Sequence, residues 1–359
     1  MKSSTQEAVA LLSRLIATPS HTRDEGATAD LLERYFEERG FSYERVENNL
    51  MLCAGALTDR PTLLLNSHHD TVRPATTYTR DPYAPTIENG RLYGLGSNDA
   101  GASLVALIEV FQHFASRELP FNLVLLISAE EECGGQRGIR AALPHLLPRI
   151  NSATTMALVG EPTSMQAAVA ERGLVVLDCE ATGKSGHAAR GEGINALYIA
   201  LDDIQTLRNF RFERESKTLG PIRLTATMMQ CGTQHNVVPD SCHFVVDIRT
   251  TDAYTNEEVV ALLQSALQST ATPRSTRVRA SVIAEEHPLV QAAVKAGATP
   301  FVSPTSSDRT LMPFPALKIG PGDSARSHTA DEYILIEEIE QGIETYVKII
   351  KNLITAYGN

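Results

Sequence analysis

The chain has 359 residues, 43% of them apolar, which is enough for one large domain or two medium ones with separate cores. Lys and Arg number 32 against 43 Asp and Glu, and the resulting net charge of −11 disfavours nucleic acid and anionic membranes as partners. No run approaches the ~20 apolar residues of a membrane span, and the N-terminal pattern is typical of an amphipathic helix rather than a signal peptide. Five scattered cysteines without a C-x-x-C pair indicate no disulfide framework and favour a reducing cytoplasm.

Helical and extended patterns alternate from the start of the chain, which is typical of an α/β protein with a mostly parallel sheet flanked by helices. Apolar spacing predicts two opening helices, at residues 6–17 and 27–39, and a crossover helix at 100–114. Short apolar runs predict buried strands at residues 62–66, 121–128, 155–160 and 316–320.

The pattern changes between about residue 170 and residue 284. Longer, partly alternating segments predict a second, α+β unit with one solvated sheet face and strands at residues 173–181, 221–230, 242–251 and 277–284. Helices are predicted at 195–207 and 255–267, and the Ser/Thr/Pro-rich segment 269–276 is predicted as a loop. Because the first pattern then returns, we predict a discontinuous domain of residues 1–170 and 285–359 that carries an inserted domain of residues 171–284.

Histidines and acids cluster just after the predicted parallel strands. Ligands bind beyond the carboxyl ends of the strands in open α/β sheets, so these residues are expected to converge on one crevice. They are His68, His69, Asp70, Glu130, Glu131, Glu132 and Glu161, followed much later by His328. Asp99, in a glycine-rich segment at the start of the crossover helix, is expected to join them.

Neutral imidazoles and carboxylates in this number suit two divalent metals such as zinc, and a carboxylate such as Asp99 can bridge two ions. A metal pair lowers the pKa of water and polarises a carbonyl group, and a nearby acid such as Glu131 is then needed to move the proton. The pattern therefore predicts hydrolysis. Each feature also has a structural alternative: His68 as a core histidine, Asp99 as a helix cap, the three glutamates as a solvated turn, and Glu161 as part of a strand-ending turn.

Taken together, these segments resemble the motifs of the M20 peptidase family of dinuclear zinc amidohydrolases over almost the entire chain. The matching segments are Ser-His-His-Asp at 67–70, Gly-Leu-Gly-Ser-Asn-Asp at 94–99, Glu-Glu-Glu-Cys-Gly-Gly at 130–135, Gly-Glu-Pro-Thr at 160–163 and Ser-His-Thr at 327–329. The resemblance implies a zinc-dependent exopeptidase-like fold whose inserted domain is a lid and dimerisation domain. It also implies a homodimer that binds two Zn²⁺, with Co²⁺ as an alternative.

The resemblance assigns a role to each residue of the cluster. His68 and Glu161 would bind one zinc ion, Glu132 and His328 the other, with Asp99 as the bridge. Glu131 would be the general base, and Asp70 would hydrogen-bond the other ring nitrogen of His68 and so fix its tautomer. Glu130 stands where the family usually has aspartate, which leaves Glu130 open as an alternative base, and His69 is an additional imidazole.

Within the inserted domain, the segment 183–190 resembles the family motif whose histidine stabilises the tetrahedral oxyanion, which makes His187 the candidate for that role. By the same resemblance, Asn236 and Arg249 would bind the α-carboxylate of a substrate. The alternatives are a histidine in a polar turn for His187 and a structural ion pair for Arg249. Gly320, in the recurring segment Gly320-Pro321-Gly322, is a further candidate for substrate binding.

Within the family, these segments resemble acetylornithine deacetylases most. The resemblance implies a small-molecule substrate, an N2-acyl amino acid, whose hydrolysis gives ornithine or citrulline in arginine biosynthesis. The acyl group is left open between acetyl and succinyl; a charged one would need a basic partner such as Arg190, Arg309 or Arg326. Other open functions are a di- or aminopeptidase, a carrier-linked deacylase of lysine biosynthesis, and a binding protein without catalysis.

Overall fold

The computed structural model describes residues 2–358, and within that range the chain forms eight α-helices and eighteen β-strands. The helices are α1 Lys2–Ile16, α2 Gly26–Glu37, α3 Ala102–Ala115, α4 Ile139–Leu146, α5 Ala196–Asn209, α6 Asn256–Ala266, α7 Pro288–Lys295 and α8 Ile336–Tyr357. The strands are β1 Glu44–Val46, β2 Asn49–Cys53, β3 Thr62–His68, β4 Thr86–Glu88, β5 Arg91–Tyr93, β6 Asn122–Ser128, β7 Thr155–Val159, β8 Ala167–Glu171, β9 Gly173–Thr182, β10 Gly186–His187, β11 Arg223–Cys231, β12 Val237–Val238, β13 Ser241–Thr250, β14 Thr270–Pro273, β15 Ser281–Val282, β16 Pro300–Ser303, β17 Ala316–Lys318 and β18 Tyr333–Leu335. The opening helices, the crossover helix and the four buried strands of the first pattern are confirmed.

The chain divides into two compact units. Unit 1 contains Met1–Val169, Ile283–Phe301 and Ser307–Asn359, and unit 2 contains Ala170–Val282 and Val302–Ser306. The boundaries expected from the sequence lie within two residues of the two main crossings. The short return of residues 302–306 to unit 2 was not predicted.

The sheet of unit 1 is mixed, and its centre is parallel. Strands β6, β3, β7 and β17 lie side by side in that order and run in the same direction. Strand β2 adds antiparallel to β6, and the first residues of β8 add antiparallel to β17. The mostly parallel sheet expected from the sequence is therefore present, with antiparallel strands at its flanks.

Both faces of the central strands are buried, because successive side chains of a strand point to opposite faces. Leu63 and Leu65 belong to the core cluster shared with α1, α2, α3 and α8, whereas Leu64 belongs to the cluster shared with α4. This explains why these strands are continuous apolar runs rather than alternating ones. The four parallel strands end at His68, Ser128, Val159 and Lys318, so the segments that follow them begin at one edge of the sheet.

Unit 2 is built on a four-stranded antiparallel sheet in the order β11, β13, β9, β14. Helices α5 and α6 pack on one face of this sheet, and the burial of β9 alternates along its length. Two sequence predictions were wrong here. Of the predicted strand 277–284, only Ser281–Val282 forms a strand, and Val278 adds an isolated bridge to Leu174. The predicted loop 269–276 contains the edge strand β14, where a proline is tolerated because one side of the strand has no partner.

None of the helices formed by residues 2–358 combines the length and the apolar character that crossing a bilayer requires.

A buried glutamate in α3 gives unit 1 a pH-dependent stability. The Glu109 side chain is 7% exposed and accepts a long hydrogen bond of 3.5 Å from the Tyr35 hydroxyl. Burial, together with repulsion from Glu7, raises the pKa of Glu109 to about 7. At a pH below the ordinary pKa of glutamate, the Glu109 carboxyl is neutral in both the folded and the unfolded state. As the pH rises towards 7, the unfolded chain ionises first, so the folded state loses stability across this window.

We therefore expect Glu109→Gln to raise the free energy of unfolding at about pH 8, by up to about 3 kcal/mol, and to leave it nearly unchanged at about pH 4.5. Urea titration at the two pH values measures the difference. Glu118→Gln, at an exposed position shortly after the same helix, is the matched control. An equal effect of Glu109→Gln at both pH values would contradict the assignment.

Candidate metal centre

His68 ends β3 with its imidazole almost completely buried, at 1% exposure. The Nδ1 atom lies 2.9 Å from the backbone oxygen of Asp70, and the nearer carboxylate oxygen of Asp70 is at 3.4 Å. The ring is thus closest to the backbone carbonyl of Asp70, with the Asp70 carboxylate also beside Nδ1, and the role of that carboxylate in fixing the tautomer stays a prediction. The Nε2 atom of His68 is buried without a hydrogen-bond partner in the described part of the chain.

The carboxylate of Asp70 also holds the acidic loop. Its Oδ1 accepts from the backbone N–H of Glu131 at 3.0 Å, and its Oδ2 accepts from the N–H of Glu132 at 3.3 Å. Thr22 donates its hydroxyl to the same Oδ2 at 2.8 Å. Asp70 therefore fixes the backbone that carries the predicted base and one predicted ligand.

His69 is a structural residue. Its Nδ1 is 2.9 Å from the Thr28 hydroxyl and its Nε2 is 2.9 Å from the backbone oxygen of Asn48. Burial lowers the pKa of His69 to about 4, so the ring is neutral. With both nitrogens engaged, this additional imidazole is not available to a metal.

Asp99 lies in an irregular turn before α3, and the helix starts at Ala102 with Gly101 as its N-cap residue and no side-chain cap. The helix-cap alternative for Asp99 is therefore wrong. One carboxylate oxygen of Asp99 is 3.4 Å from Nε2 of His68, and the other is 3.6 Å from Nε2 of His328. The carboxylate thus stands between the two imidazoles, as a bridging ligand would.

Glu332 clamps this turn, and sequence analysis missed it. Its buried carboxylate accepts the backbone N–H groups of Gly96, Asn98 and Asp99 at 3.0, 2.8 and 2.9 Å. Gly96 has φ 75°, a backbone conformation that suits glycine. An acid shortly after His328 was the only sequence signal, because the partners of Glu332 are backbone groups more than 230 residues away.

The three consecutive glutamates have different surroundings, and they do not form a solvated turn. Glu130 is buried, and both of its carboxylate oxygens are bound by Arg137, one by Nε at 2.9 Å and the other by the backbone N–H at 3.0 Å. Glu131 lies in the crevice beside His68 and Glu161. Glu132 accepts from His328 at 3.0 and 3.2 Å. The structure therefore gives no support to Glu130 as the base.

Glu161 follows β7, and its position depends on Gly320. The backbone N–H of Gly320 donates to the Thr163 hydroxyl at 3.0 Å, and its carbonyl accepts from the N–H of Met165 at 2.8 Å. A Cβ atom at position 320 would lie 2.4 Å from the backbone oxygen of Glu161. The structure thus uses Gly320 to support the Glu161 loop, and a direct contact with substrate stays a prediction.

These residues form two groups whose ligand atoms lie within 4.8 Å of one another: His68 with Glu131 and Glu161, and His68 with Asp99 and Glu132. His328, which is exposed, adjoins the second group through Glu132 and Asp99. A metal fits this set on two observations: the orphaned, buried Nε2 of His68, and donor types that divalent transition ions prefer.

The electrostatics of the crevice are those of a site for cations. Burial raises the pKa of Glu161 to about 8 and that of Glu131 well above its ordinary value. Asp308, a buried acid that sequence analysis also missed, adds to the repulsion at Glu131. Carboxylates gathered away from water in this way cost free energy unless opposite charge neutralises them.

The predicted residues of unit 2 fall into two places. His187 in β10 and Asn236 lie near each other, because β10 pairs with β12 and the N–H of Ala188 donates to the backbone oxygen of Asn236 at 3.1 Å. Arg249 lies near the far end of β13, about 26 Å along the strand from Ser241. It forms the ion pair left open by the sequence, with Nε and Nη2 at 2.8 and 3.2 Å from the Asp247 carboxylate. One chain therefore does not bring Asn236 and Arg249 to the same carboxylate.

Comparison with known proteins agrees with this arrangement of strands. The sequence profile described as peptidase family M20/M25/M40 matches residues 64–352. The chain belongs to this family, and it is a metal-dependent hydrolase.

Curated relatives match over nearly their whole length. One is an acetylornithine deacetylase of Proteus mirabilis, 26% identical, with 97% of each chain covered. Another is a succinyl-diaminopimelate desuccinylase of Cereibacter sphaeroides, 27% identical, with 97% of this chain and 99% of the relative covered. These matches agree on the family, and the names of the relatives differ in the substrate.

Solved structures share the fold. A tripeptidase from Staphylococcus aureus superposes with a TM-score of 0.75 at 21% identity, covering 98% of this chain and 99% of the other. A Bacillus subtilis protein, described as a dinuclear metal-binding peptidase of family M20, gives a TM-score of 0.72 at 15% identity, covering 100% of this chain and 99% of the other.

The hydrogen bonds of Glu332 lead to a prediction: metal affinity depends on them. In Glu332→Gln the amide presents one oxygen and an NH₂ group to three N–H donors, so the turn that carries Asp99 loses part of its support. We expect metal affinity to fall about tenfold or more, measured by competition with a chromophoric chelator. Glu337→Gln, exposed in the first turn of α8, is the matched control. Unchanged affinity in a folded Glu332→Gln protein would show that the clamp does not support Asp99.

Proposed function

We propose that this protein hydrolyses the amide bond of an N2-acyl amino acid and that N-acetylornithine is its substrate. The observation that carries the reaction class is the buried Nε2 of His68, which has no hydrogen-bond partner within the described chain and faces the carboxylates of Asp99 and Glu161 at 3.4 and 3.8 Å. Support for the substrate class comes from relatives that carry the names of deacylases of amino acids.

Five side chains would hold two divalent metal ions, which we propose to be zinc. They are His68, Asp99, Glu132, Glu161 and His328. When bound, such ions polarise an amide carbonyl and lower the pKa of water, and cobalt would serve the same chemistry.

Glu131 is proposed as the residue that moves the proton. Its carboxylate would take a proton from the attacking water and return it to the amide nitrogen as the C–N bond breaks. The position supports this role, since Glu131 lies beside His68 and Glu161 and its backbone N–H is fixed by Asp70. In unit 2, His187 is kept as the proposed donor to the oxyanion and Asn236 and Arg249 as proposed contacts of the substrate carboxylate.

The state of two arginines favours a neutral acyl group. Arg309 is fully buried, and its Nη1 and Nη2 donate to the backbone oxygens of Ala168 and Val169 at 2.6 and 3.0 Å. Arg326 forms a bidentate pair with Glu338, with both distances 2.7 Å. Neither guanidinium is therefore presented to a succinyl carboxylate, which supports acetyl over succinyl. The third candidate, Arg190, is exposed and would be the group to bind a succinyl carboxylate in the alternative.

A second candidate is N-succinyl-diaminopimelate, because several relatives at 25–28% identity carry the name of its desuccinylase. The two candidates point to different biosynthetic routes, to arginine for the acetyl substrate and to lysine for the succinyl one. In both reactions a free α-amino acid and a carboxylate are the products.

We further propose that the active form is a homodimer that assembles through unit 2. Tyr198 and Leu201 on α5 are 65% and 48% exposed, and Met228 on the edge strand β11 is 57% exposed. Such apolar side chains on one unit support a second copy as partner. The separation of Asn236 from Arg249 supports it as well, because two copies could supply one contact each.

A reducing compartment such as the cytoplasm is proposed for this enzyme. The five cysteines are all free thiols in the structure. Thiols of this kind persist where glutathione or thioredoxin keep them reduced.

The role of Glu131 is testable by an isosteric change. Glu131→Gln removes the proton acceptor and keeps the volume, so we expect kcat to fall by about 10²–10⁴-fold while bound metal, measured by elemental analysis, stays equal to wild type. Glu130→Gln is the matched control at the neighbouring position and is expected to retain most of the kcat. Loss of metal in Glu131→Gln would instead make Glu131 a ligand, and loss of turnover only in Glu130→Gln would reassign the base.

Substrate choice is tested on metal-free protein reconstituted with zinc. We expect kcat/KM to be at least about tenfold higher for N-acetylornithine than for N-succinyl-diaminopimelate, N-succinylornithine or a dipeptide, with N-acetylcitrulline as a probe of the amine side. A preference for the succinyl compounds would favour the second candidate. Cleavage of dipeptides alone, or turnover without metal, would contradict the proposal.

A further inference from the structure

Two cysteines of unit 2 face each other across neighbouring strands. Cys231 is the last residue of β11, Cys242 is the second residue of β13, and the two are directly paired in the antiparallel register. Paired residues of antiparallel strands point to the same face, with Cα atoms about 4.5–5.5 Å apart. This separation lies inside the range that a disulfide bond accepts.

The side-chain contacts also place the two thiols close together. The Sγ of Cys231 donates to the backbone oxygen of Ser241 at 3.3 Å, which places it over β13, next to Cys242. Cys242 belongs to the core cluster of unit 2, and Cys231 packs against that cluster while remaining half-buried. Burial and the neighbouring Cys231 raise the pKa of the Cys242 thiol to about 12.

The other three cysteines have no such partner. Cys179 in β9 is paired with Phe244 and Ala271, and Cys53 in β2 is paired with Val124. Cys133 is exposed and lies in a short 3-10 turn outside the strands. Among residues 2–358, only Cys231 and Cys242 form a cross-strand cysteine pair.

The two cysteines flank a segment that carries a proposed substrate contact. Residues 232–241 connect Cys231 to Cys242 along the chain, and they include Asn236 and the strand β12. Through β12 the segment pairs with β10, which contains His187. A covalent link between the two cysteines would close this segment into a ring.

We propose that Cys231 and Cys242 form a reversible disulfide bond on exposure to a hydroperoxide, and that this bond staples the segment 232–241 to the sheet. The half-buried Cys231 reacts first: its sulfur attacks the peroxide, the O–O bond breaks, and a sulfenic acid and water form. The sulfur of Cys242 then attacks the sulfenic sulfur, loses its proton and releases a second water. Two thiols are thereby oxidised to one disulfide while one peroxide is reduced to two waters, and a dithiol reverses the reaction.

This inference goes beyond the proposed hydrolysis and does not depend on which amide is cleaved. The bond is read out chemically, so a failure to cleave N-acetylornithine leaves the test intact. Conversely, absence of the bond leaves the hydrolytic proposal unaffected.

The experiment uses the full-length protein treated with hydrogen peroxide and quenched with N-ethylmaleimide. Trypsin leaves both cysteines in one peptide, residues 224–249, because no Lys or Arg lies between Arg223 and Arg249. We expect this peptide to become two hydrogens lighter and to lose both maleimide labels, and dithiothreitol to restore them. Cleavage before Asp240 then separates the two cysteines, and the halves should stay joined only in the oxidised sample.

Three variants sharpen the result. Cys231→Ser, at the half-buried position, should abolish the linked peptide, and Cys133→Ser should leave it unchanged. In Cys242→Ala the reaction should stop at the sulfenic acid of Cys231, which dimedone traps; if this variant does not fold, Cys231→Ser decides alone. Amide exchange of residues 232–241 should slow about threefold or more on oxidation of the wild type and not in Cys231→Ser.

Two outcomes would overturn the proposal. One is a linkage between different chains, or to Cys179, in place of the bond between residues 231 and 242. The other is full maleimide labelling of both cysteines under conditions in which the exposed Cys133 is already oxidised.

Discussion

The structure depends on one electrostatic constraint: several carboxylates must stand together, away from water, at the rim of a sheet. Burial raises the pKa of Glu131 and Glu161, and the Nε2 of His68 faces this group without a hydrogen-bond partner in the described chain. Such an arrangement survives only when the backbone that carries it is held firmly and cations complete it. Asp70 and Glu332 hold this backbone, each by accepting backbone N–H groups of a loop that carries a proposed metal ligand.

The same architecture explains why the sequence could predict which residues would gather at this edge of the sheet. The parallel strands are apolar runs buried on both faces, so their ends are easy to locate, and chemistry-bearing residues after His68, Ser128 and Val159 must meet at one edge. Glu332 and Asp308 were missed, because they serve the site through backbone groups and buried neighbours that lie far away in sequence. The contacts of Asp70 with the backbone of Glu131 and Glu132 are likewise invisible in the sequence, because the pattern reveals an acid beside a histidine but not which backbone groups the acid binds.

In unit 2 the apolar spacing predicts the three long strands and both helices correctly, but it says less about their function. The edge strand β14 is not predicted, since the Ser, Thr and Pro content of residues 269–276 matches a loop and only pairing with β9 makes Thr270–Pro273 extended. Nothing in the sequence spacing places His187 next to Asn236, or Arg249 at the other end of β13. These relations arise from strand register, which apolar patterns determine only when long segments alternate cleanly.

The interior position of β17 has a consequence for how this chain folds during its translation. This strand of three residues lies between β7 and β8 in the sheet, although more than 150 residues separate it from β7 along the chain, and unit 2 is translated in that interval. A ribosome therefore releases most of the acids of the crevice well before the strand that completes the sheet beside them and the histidine that follows it. The sheet of the nascent chain is complete only after β17 has been synthesised. Until then the backbone N–H and C=O groups along one edge of β7 have no strand to pair with and are open to chaperones.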